Sequence, residues 1–251
     1  MQINEQRRNF LRVGVSGAVL TCVSAWPHGR TMAATPVSAR RIGVIGSGNV
    51  GGTLGRLWVQ AGHEVLFSSR HPGELQGLVA SLGAAARAGT PREAAEFGDA
   101  VLLAVPYGAL PQIGHDLAPV LAGKVVLDAC NPYAWRDGEA AKLAAQEGSG
   151  IASAHFFPGA RLVRGFNSID ASAVGSEAHR APPRIGIPIA GDDAGALEVV
   201  ASLVHDAGFD PVVAGPLAAA RKFEPGGPLF EQTMTASELR RRLDVAAGAG
   251  G

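Results

Sequence analysis

The segment Arg41–Ile45, RIGVI, runs without a break into Gly46-Ser47-Gly48-Asn49-Val50-Gly51 and on into Val50–Ala61, which has the apolar spacing of a helix. A G-x-G-x-x-G between a strand and a helix allows few arrangements of the chain. In the βαβ unit that uses it, Gly46 permits the tight turn, Gly48 lets the backbone come close to an anion, and Gly51 lets helix and strand pack closely. Amides at the helix N-terminus then face a pyrophosphate. Gly46, Ser47, Gly48, Asn49, Val50 and Gly51 are therefore the first candidate binding residues.

The rest of the chain keeps the same alternation. Strands are predicted at Arg41–Ile45, Glu64–Ser68, Ala100–Val105, Val125–Ala129, Leu162–Phe166, Ile185–Ala190 and Pro211–Ala214, with a weaker one at Ala84–Arg87. Helices are predicted at Val50–Ala61, Gly73–Leu82, Pro91–Phe97, Ala109–Leu117, Asp137–Gln146 and Ala194–Ala207. The runs RIGVIG, VLLAVP and VVLDA are continuously apolar, as strands covered on both faces are. Thr90-Pro91-Arg92-Glu93 has the form of a capping box with proline in the first turn. The pattern is α/β: a Rossmann-type doubly wound, mostly parallel sheet over 40–167, then a small C-terminal α/β extension over 168–251. The basic stretch Glu238–Arg242 reads as a solvated terminal helix, and the small residues from Ala246 onward as a frayed tail.

Charge and cysteine content narrow the function classes. The 22 Lys+Arg balance the 22 Asp+Glu and form no block of five like charges, which argues against a nucleic-acid partner. The two cysteines, Cys22 and Cys130, cannot build a disulfide scaffold or a cysteine zinc site, and the seven histidines have no metal-ligand spacing. No metal ligand is assigned.

The second strand ends in Ser68-Ser69-Arg70-His71, about twenty residues beyond Gly46, where a carboxylate would bind the ribose 2′-hydroxyl of NAD. No carboxylate stands there. Hydroxyls and a guanidinium suit a 2′-phosphate instead, so Ser68, Ser69 and Arg70 predict NADP(H) as the dinucleotide.

Residues 1–39 carry Arg7, Arg8, Arg12 and Arg30 against Glu5 alone. The order Arg7-Arg8-Asn9-Phe10-Leu11-Arg12, followed by the apolar run Val13–Ala25, resembles a twin-arginine export signal. That run is short of the ~20 residues a membrane span requires, so no stable span is expected in the mature chain. Cleavage after Ala33 is favoured over Ala39, and Thr21 before Cys22 argues against a lipoprotein. The expectation is a periplasmic or otherwise extracytoplasmic protein, exported folded by the twin-arginine machinery.

Together, IGVIGSGNVGGTLG, Ser68-Ser69-Arg70, Ala104-Val105-Pro106, Asn131-Pro132, Gly165-Phe166-Asn167-Ser168, Gly191-Asp192-Asp193, Gly215-Pro216-Leu217, and Arg221 with Glu224 resemble the NADPH-dependent F420 reductase family. Its Rossmann domain is shared with STEAP-type metalloreductases. The resemblance implies that Ser69 and Arg70 hold the 2′-phosphate, and that Ala104, Val105, Pro106 and Asn131 line the nicotinamide end. It also implies hydride transfer between NADP(H) and a small-molecule acceptor, coenzyme F420 or a flavin. Such a transfer asks for stacked rings rather than an acid or base, and no catalytic residue is assigned. His155, Phe156, Phe157, Phe166, Tyr107, Tyr133 and Trp135 are candidates for shaping an acceptor pocket. Members of the family often pair, so the resemblance admits a homodimer. Two positions depart from the pattern: Glu74 stands where a basic residue would assist the phosphate, and Gly165 where alanine is common. Other readings are an NADP-binding module without turnover, a flavin-mediated ferric reductase, and a β-hydroxyacid dehydrogenase. The last needs a catalytic lysine, for which the chain offers only Lys124, Lys142 and Lys222.

Overall fold

The computed structural model describes residues 39–248. The export signal expected over 1–39, save its last residue, lies outside the described residues.

Eight strands form one sheet: β1 (Arg41–Ile45), β2 (Glu64–Ser68), β3 (Ala86–Gly89), β4 (Ala100–Leu103), β5 (Val125–Asp128), β6 (Arg161–Arg164), β7 (Gly186–Gly191) and β8 (Asp210–Gly215). Their order is β3-β2-β1-β4-β5-β6-β7-β8. All neighbouring pairs are parallel except β6 with β7. The chain leaves β1 toward β2 on one side and returns to lay β4 on the other. The crevice this leaves at the carboxyl ends of β1 and β4 is the topological switch point of the sheet. β4 and β5 are buried at every residue, as their uninterrupted apolar sequences predict.

The helices are α1 (Asn49–Gln60), α2 (Gln76–Leu82), α3 (Pro91–Phe97), α4 (Leu110–Leu121), α5 (Ala134–Glu147), α6 (Ser149–Phe156), α7 (Ala171–Glu177), α8 (Ala194–Asp206) and α9 (Ala236–Gly248). One apolar layer joins Ile42, Val44, Leu102 and Leu127 of the sheet to Leu54 and Trp58 of α1 and to Val200 and Leu203 of α8. The opposite layer packs Val101, Val126 and Leu162 under α3 to α6. Trp58 Nε1–H donates to the Leu203 carbonyl at 2.9 Å, which ties α1 to α8. The segment after 167 thus adds two strands to the same sheet and a helix to the same layer. A third cluster seats α9 on β7 and β8 through Leu239 and Leu243. Among the described residues no helix is long and apolar enough to cross a membrane.

Several boundaries differ from the sequence expectation. The Thr90–Glu93 capping box is present, with Glu93 N–H donating to the Thr90 hydroxyl and Thr90 N–H to the Glu93 carboxylate. The fourth strand ends at Leu103 instead of Val105, because Ala104 and Val105 turn across the switch point. The sixth ends at Arg164, where Gly165 leads into Phe166 at φ 58°. α6 and α7 were not expected: SGIASAHF is small or apolar on all sides and has no amphipathic period, while α7 is short and rests on an Asp170 cap to Ser172 N–H at 2.8 Å. α9 continues to Gly248, past Ala246, where a frayed tail was expected.

Candidate functional site

The glycine turn has the geometry its spacing demands. Gly46 sits at φ +97°, and a Cβ there would lie 2.4 Å from the Ala104 carbonyl oxygen. A Cβ on Gly51 would lie 2.0 Å from the Gly46 carbonyl oxygen, so α1 rests directly on the turn. Gly48 differs: a Cβ there meets nothing within 4 Å. Glycine is thus not required at 48 by the protein's own packing. The space beside it is open at the N-terminus of α1, where no side chain caps the helix. First-turn amides without side-chain partners, facing open space, form a binding place for a diphosphate. The residues present therefore fit the dinucleotide that the sequence predicts.

A cavity of about 860 Å³ extends from this turn over the ends of β1 and β2. Gly46, Ser47 and Gly48 form one wall, Ser69, Arg70 and Glu74 the rim beyond β2, and Val105 and Pro106 the far side. Ser47 Oγ donates to the Ser68 carbonyl at 3.1 Å, which fixes the glycine turn to β2. Ser68 borders the same cavity at the end of β2, but its side chain is buried and its hydroxyl donates to the Val44 carbonyl at 2.8 Å, which ties β2 to β1. Ser69 and Arg70 are accessible, and Arg70 makes no ion pair among the described residues. Glu74 does face this cavity, so the departure noted in the sequence is a carboxylate at the rim beside Arg70.

Sequence reasoning missed Arg92, which lines the same cavity from the first turn of α3 and donates to the Asp116 carbonyl at 2.9 Å. The signal was available. The capping box marks the start of α3 after β3, and the first turn of a crossover helix after a parallel strand lies at the carboxyl edge.

Ala104 closes under Gly46, its N–H donating to the Ile45 carbonyl at 2.9 Å. Asn131 is engaged within the protein: its Nδ2 donates to the Asn167 carbonyl at 2.6 Å, while Asn167 Nδ2 donates to Asn131 Oδ1 at 3.2 Å and to the Phe223 carbonyl at 3.0 Å. Neither Ala104 nor Asn131 lines the cavity over β1 and β2. Both lie at the ends of β4 and β5, further along the same edge. Of the aromatic candidates, Tyr107, Phe157 and Phe166 are buried in the core. Tyr107 donates to the Ser149 carbonyl at 2.9 Å and accepts from Ser153, and burial pushes its phenol pKa up. Cys130 is buried as well, and burial holds its thiol well above the usual range, so it remains a protonated packing group. Lys124 sits at the other edge of the sheet, donating to the carbonyls of Ala95, Glu96 and Gly98. No lysine lines the cavity.

An open glycine turn at the switch point of a doubly wound sheet, with Ser69 and Arg70 directly after β2, defines a Rossmann-type dinucleotide-binding domain. Residues 41–132 match the family described as NADP oxidoreductase coenzyme F420-dependent. Beyond that match, the chain is 32% identical over 200 residues to metalloreductase STEAP3 of Rattus norvegicus, covering 77% of this chain and 38% of that protein. The chain spans less than half the length of the curated relatives it matches. Among solved structures, SMa0349 of Sinorhizobium meliloti superposes with a TM-score of 0.67 at 27% identity, over 78% of this chain and 95% of that one. A protein of Arthrobacter sp. FB24 assigned as an F420-dependent NADP-reductase gives 0.63 at 25% identity, over 73% of this chain and 88% of that one.

Proposed function

We propose that this protein is an NADPH-dependent oxidoreductase that transfers a hydride between NADP(H) and a flavin-like or deazaflavin acceptor of the coenzyme F420 type. The observation that carries the reading is the unfilled space at Gly48 above the α1 amides, continuous with a cavity whose rim bears Arg70. The α1 amides hold the diphosphate, Ser69 and Arg70 hold the 2′-phosphate with Arg92 close by, and Val105 and Pro106 wall the way to the nicotinamide end. The nicotinamide, when bound, supplies the hydride; the protein's part is to align and desolvate the two rings. We further propose that the twin-arginine segment sends the folded protein out of the cytoplasm.

Purified protein is expected to oxidise NADPH when given riboflavin, FMN or a 5-deazaflavin, and to do so poorly with NADH. Tight NADP⁺ binding with no oxidation against any of these would instead identify a binding module. Oxidation with ferric chelates alone would reassign the acceptor.

Charge at the rim gives two further expectations. Arg70→Ala should weaken NADP⁺ binding by roughly 10- to 100-fold, with NAD⁺ affinity nearly unchanged, because a charge-assisted hydrogen bond is worth ~1.5 to 3 kcal/mol. Glu74→Lys removes a carboxylate beside that phosphate and should tighten NADP⁺ by about fivefold in low salt, an effect that fades as ionic strength rises. Calorimetric titrations with both dinucleotides check each.

A further inference from the structure

Trp135 is 82% exposed, and among the described residues Val213 is the only other large hydrophobic side chain that is exposed. An indole so far out of the core is unexplained by packing. Its backbone, by contrast, is held firmly. Gly138 at φ 53° breaks α5 and sets Ala134–Asp137 apart as a single turn. Asp137, buried inside that turn, accepts from Gly108 N–H at 2.9 Å, from Tyr133 N–H at 2.8 Å, and from the Arg136 guanidinium at two nitrogens, both 2.9 Å. Arg136 also donates to the Asn131 carbonyl at 3.0 Å. Burial works against the Asp137 charge, but Arg136 and the two amides outweigh it and keep the carboxyl below its ordinary pKa.

The turn is thus bolted to two loops. One, through Gly108, follows β4 and carries Val105 and Pro106; the other, through Asn131, follows β5. Those are the loops that flank the end of the sheet reached by a dinucleotide running from the adenosine cavity across the glycine turn. Tyr133 and Trp135 form a tilted ring pair with centroids 6.0 Å apart, and the Arg136 guanidinium lies 5.1 Å from one ring centre and 5.8 Å from the other. The result is a rigid aromatic shelf with a cation beside it, whose outermost ring has an open face.

We infer that Trp135, braced by Tyr133 and Arg136, is the stacking platform for the planar ring system of the hydride acceptor. This rests on the reductase reading above and names the part of that site which selects the second substrate. A tricyclic isoalloxazine or deazaflavin offers the flat, polarisable face that an exposed indole stacks on, and a cation favours the electron-rich ring that forms when it is reduced. The balance is simple: one hydride, carrying two electrons, leaves NADPH for the acceptor ring, NADP⁺ remains, and one proton from water completes the reduced acceptor. Trp135 binds and takes no part in bond making.

The test uses the full-length protein saturated with NADP⁺ and titrated with riboflavin, followed by quenching of riboflavin fluorescence, alongside steady-state NADPH oxidation. Trp135→Ala should raise both the riboflavin Kd and its KM by roughly five- to tenfold, leave the NADP⁺ Kd within about twofold, and be rescued by Trp135→Phe. Unchanged riboflavin Kd and KM in Trp135→Ala, with NADPH oxidation intact, would overturn the platform while the reductase reading stands. Riboflavin binding that depends on Trp135 in a protein that never oxidises NADPH would uphold the platform and sink that reading. A dimer that dissociates on Trp135→Ala with riboflavin affinity unaltered would show that the shelf meets a second copy of the chain, and would overturn the inference.

Discussion

Gly48→Val is expected to leave the protein folded while weakening NADP⁺ by about 100-fold or more, whereas Gly51→Ala is expected to unsettle the fold itself. The two glycines belong to one motif but answer to different neighbours. Around Gly48 the protein offers no atom within 4 Å of an added Cβ, and its φ of −74° is open to any residue. A valine there is sterically free in the unliganded chain. Its side chain fills the space through which the diphosphate approaches the amides of α1, so the substitution reads out on the ligand alone. A 100-fold loss corresponds to about 2.7 kcal/mol. At Gly51 the added methyl would stand 2.0 Å from the Gly46 carbonyl oxygen and 3.1 Å from a Val44 methyl. A backbone oxygen cannot rotate away, so α1 must lift from β1 and the packing of Leu54 and Trp58 beneath it is disturbed. Overpacking of this kind costs roughly 1 to 3 kcal/mol. Urea denaturation with parallel calorimetry separates the cases: an unchanged midpoint with lost binding for Gly48→Val, a lowered midpoint for Gly51→Ala. Retained affinity in Gly48→Val would mean that no diphosphate lies on this turn.

That contrast also shows what the sequence could and could not convey. The cradle was legible because its chemistry is local: turn, anion approach and helix contact each demand glycine within six residues, and the flanking strand and helix declare themselves by apolar period. The doubly wound sheet was legible for the same reason. The role of Ser68 was not, because adjacent strand residues alternate between the faces of the sheet and one hydroxyl looks like another in sequence. Only the register of β2 on β1 turns Ser68 toward Val44 and leaves Ser69 outside. Arg92 was missed for a different reason: it lies far along the chain from the glycine turn and reaches the carboxyl edge only because β3 ends there. The helices α6 and α7 escaped because the first is built mostly of small and apolar residues with no polar face and the other is barely two turns, so neither carries a period to detect.

The largest expected loss of stability lies at the last rung of the ladder between β5 and β6, where Asp128 and Arg164 face each other with no exposure at all. Arg164 Nη1 and Asp128 Oδ2 are 2.6 Å apart, yet neither atom, nor the other two guanidinium nitrogens, makes an aligned hydrogen bond. The second carboxylate oxygen accepts from Cys130 N–H at 2.9 Å. Two buried charges in contact without a full set of hydrogen bonds offset each other's desolvation poorly, and removing one of them is worse than removing both. Asp128→Asn, which keeps an acceptor for Cys130 N–H but strips the charge, should lower stability by about 3 to 5 kcal/mol. A guanidinium cannot discharge itself by losing a proton, so that deficit should be the same at about pH 5 as at about pH 8. Arg164→Met leaves the opposite orphan, a buried carboxylate without its cation, and should cost a similar amount. In the double variant no charge remains in the layer beneath Tyr107 and Cys130. It should be more stable than either single variant by about 2 kcal/mol or more, a coupling that a double-mutant cycle in urea measures directly. Additive losses in that cycle would show that the two side chains do not hold each other's charge, and that the order of the β5 and β6 ends beside the cleft has another source.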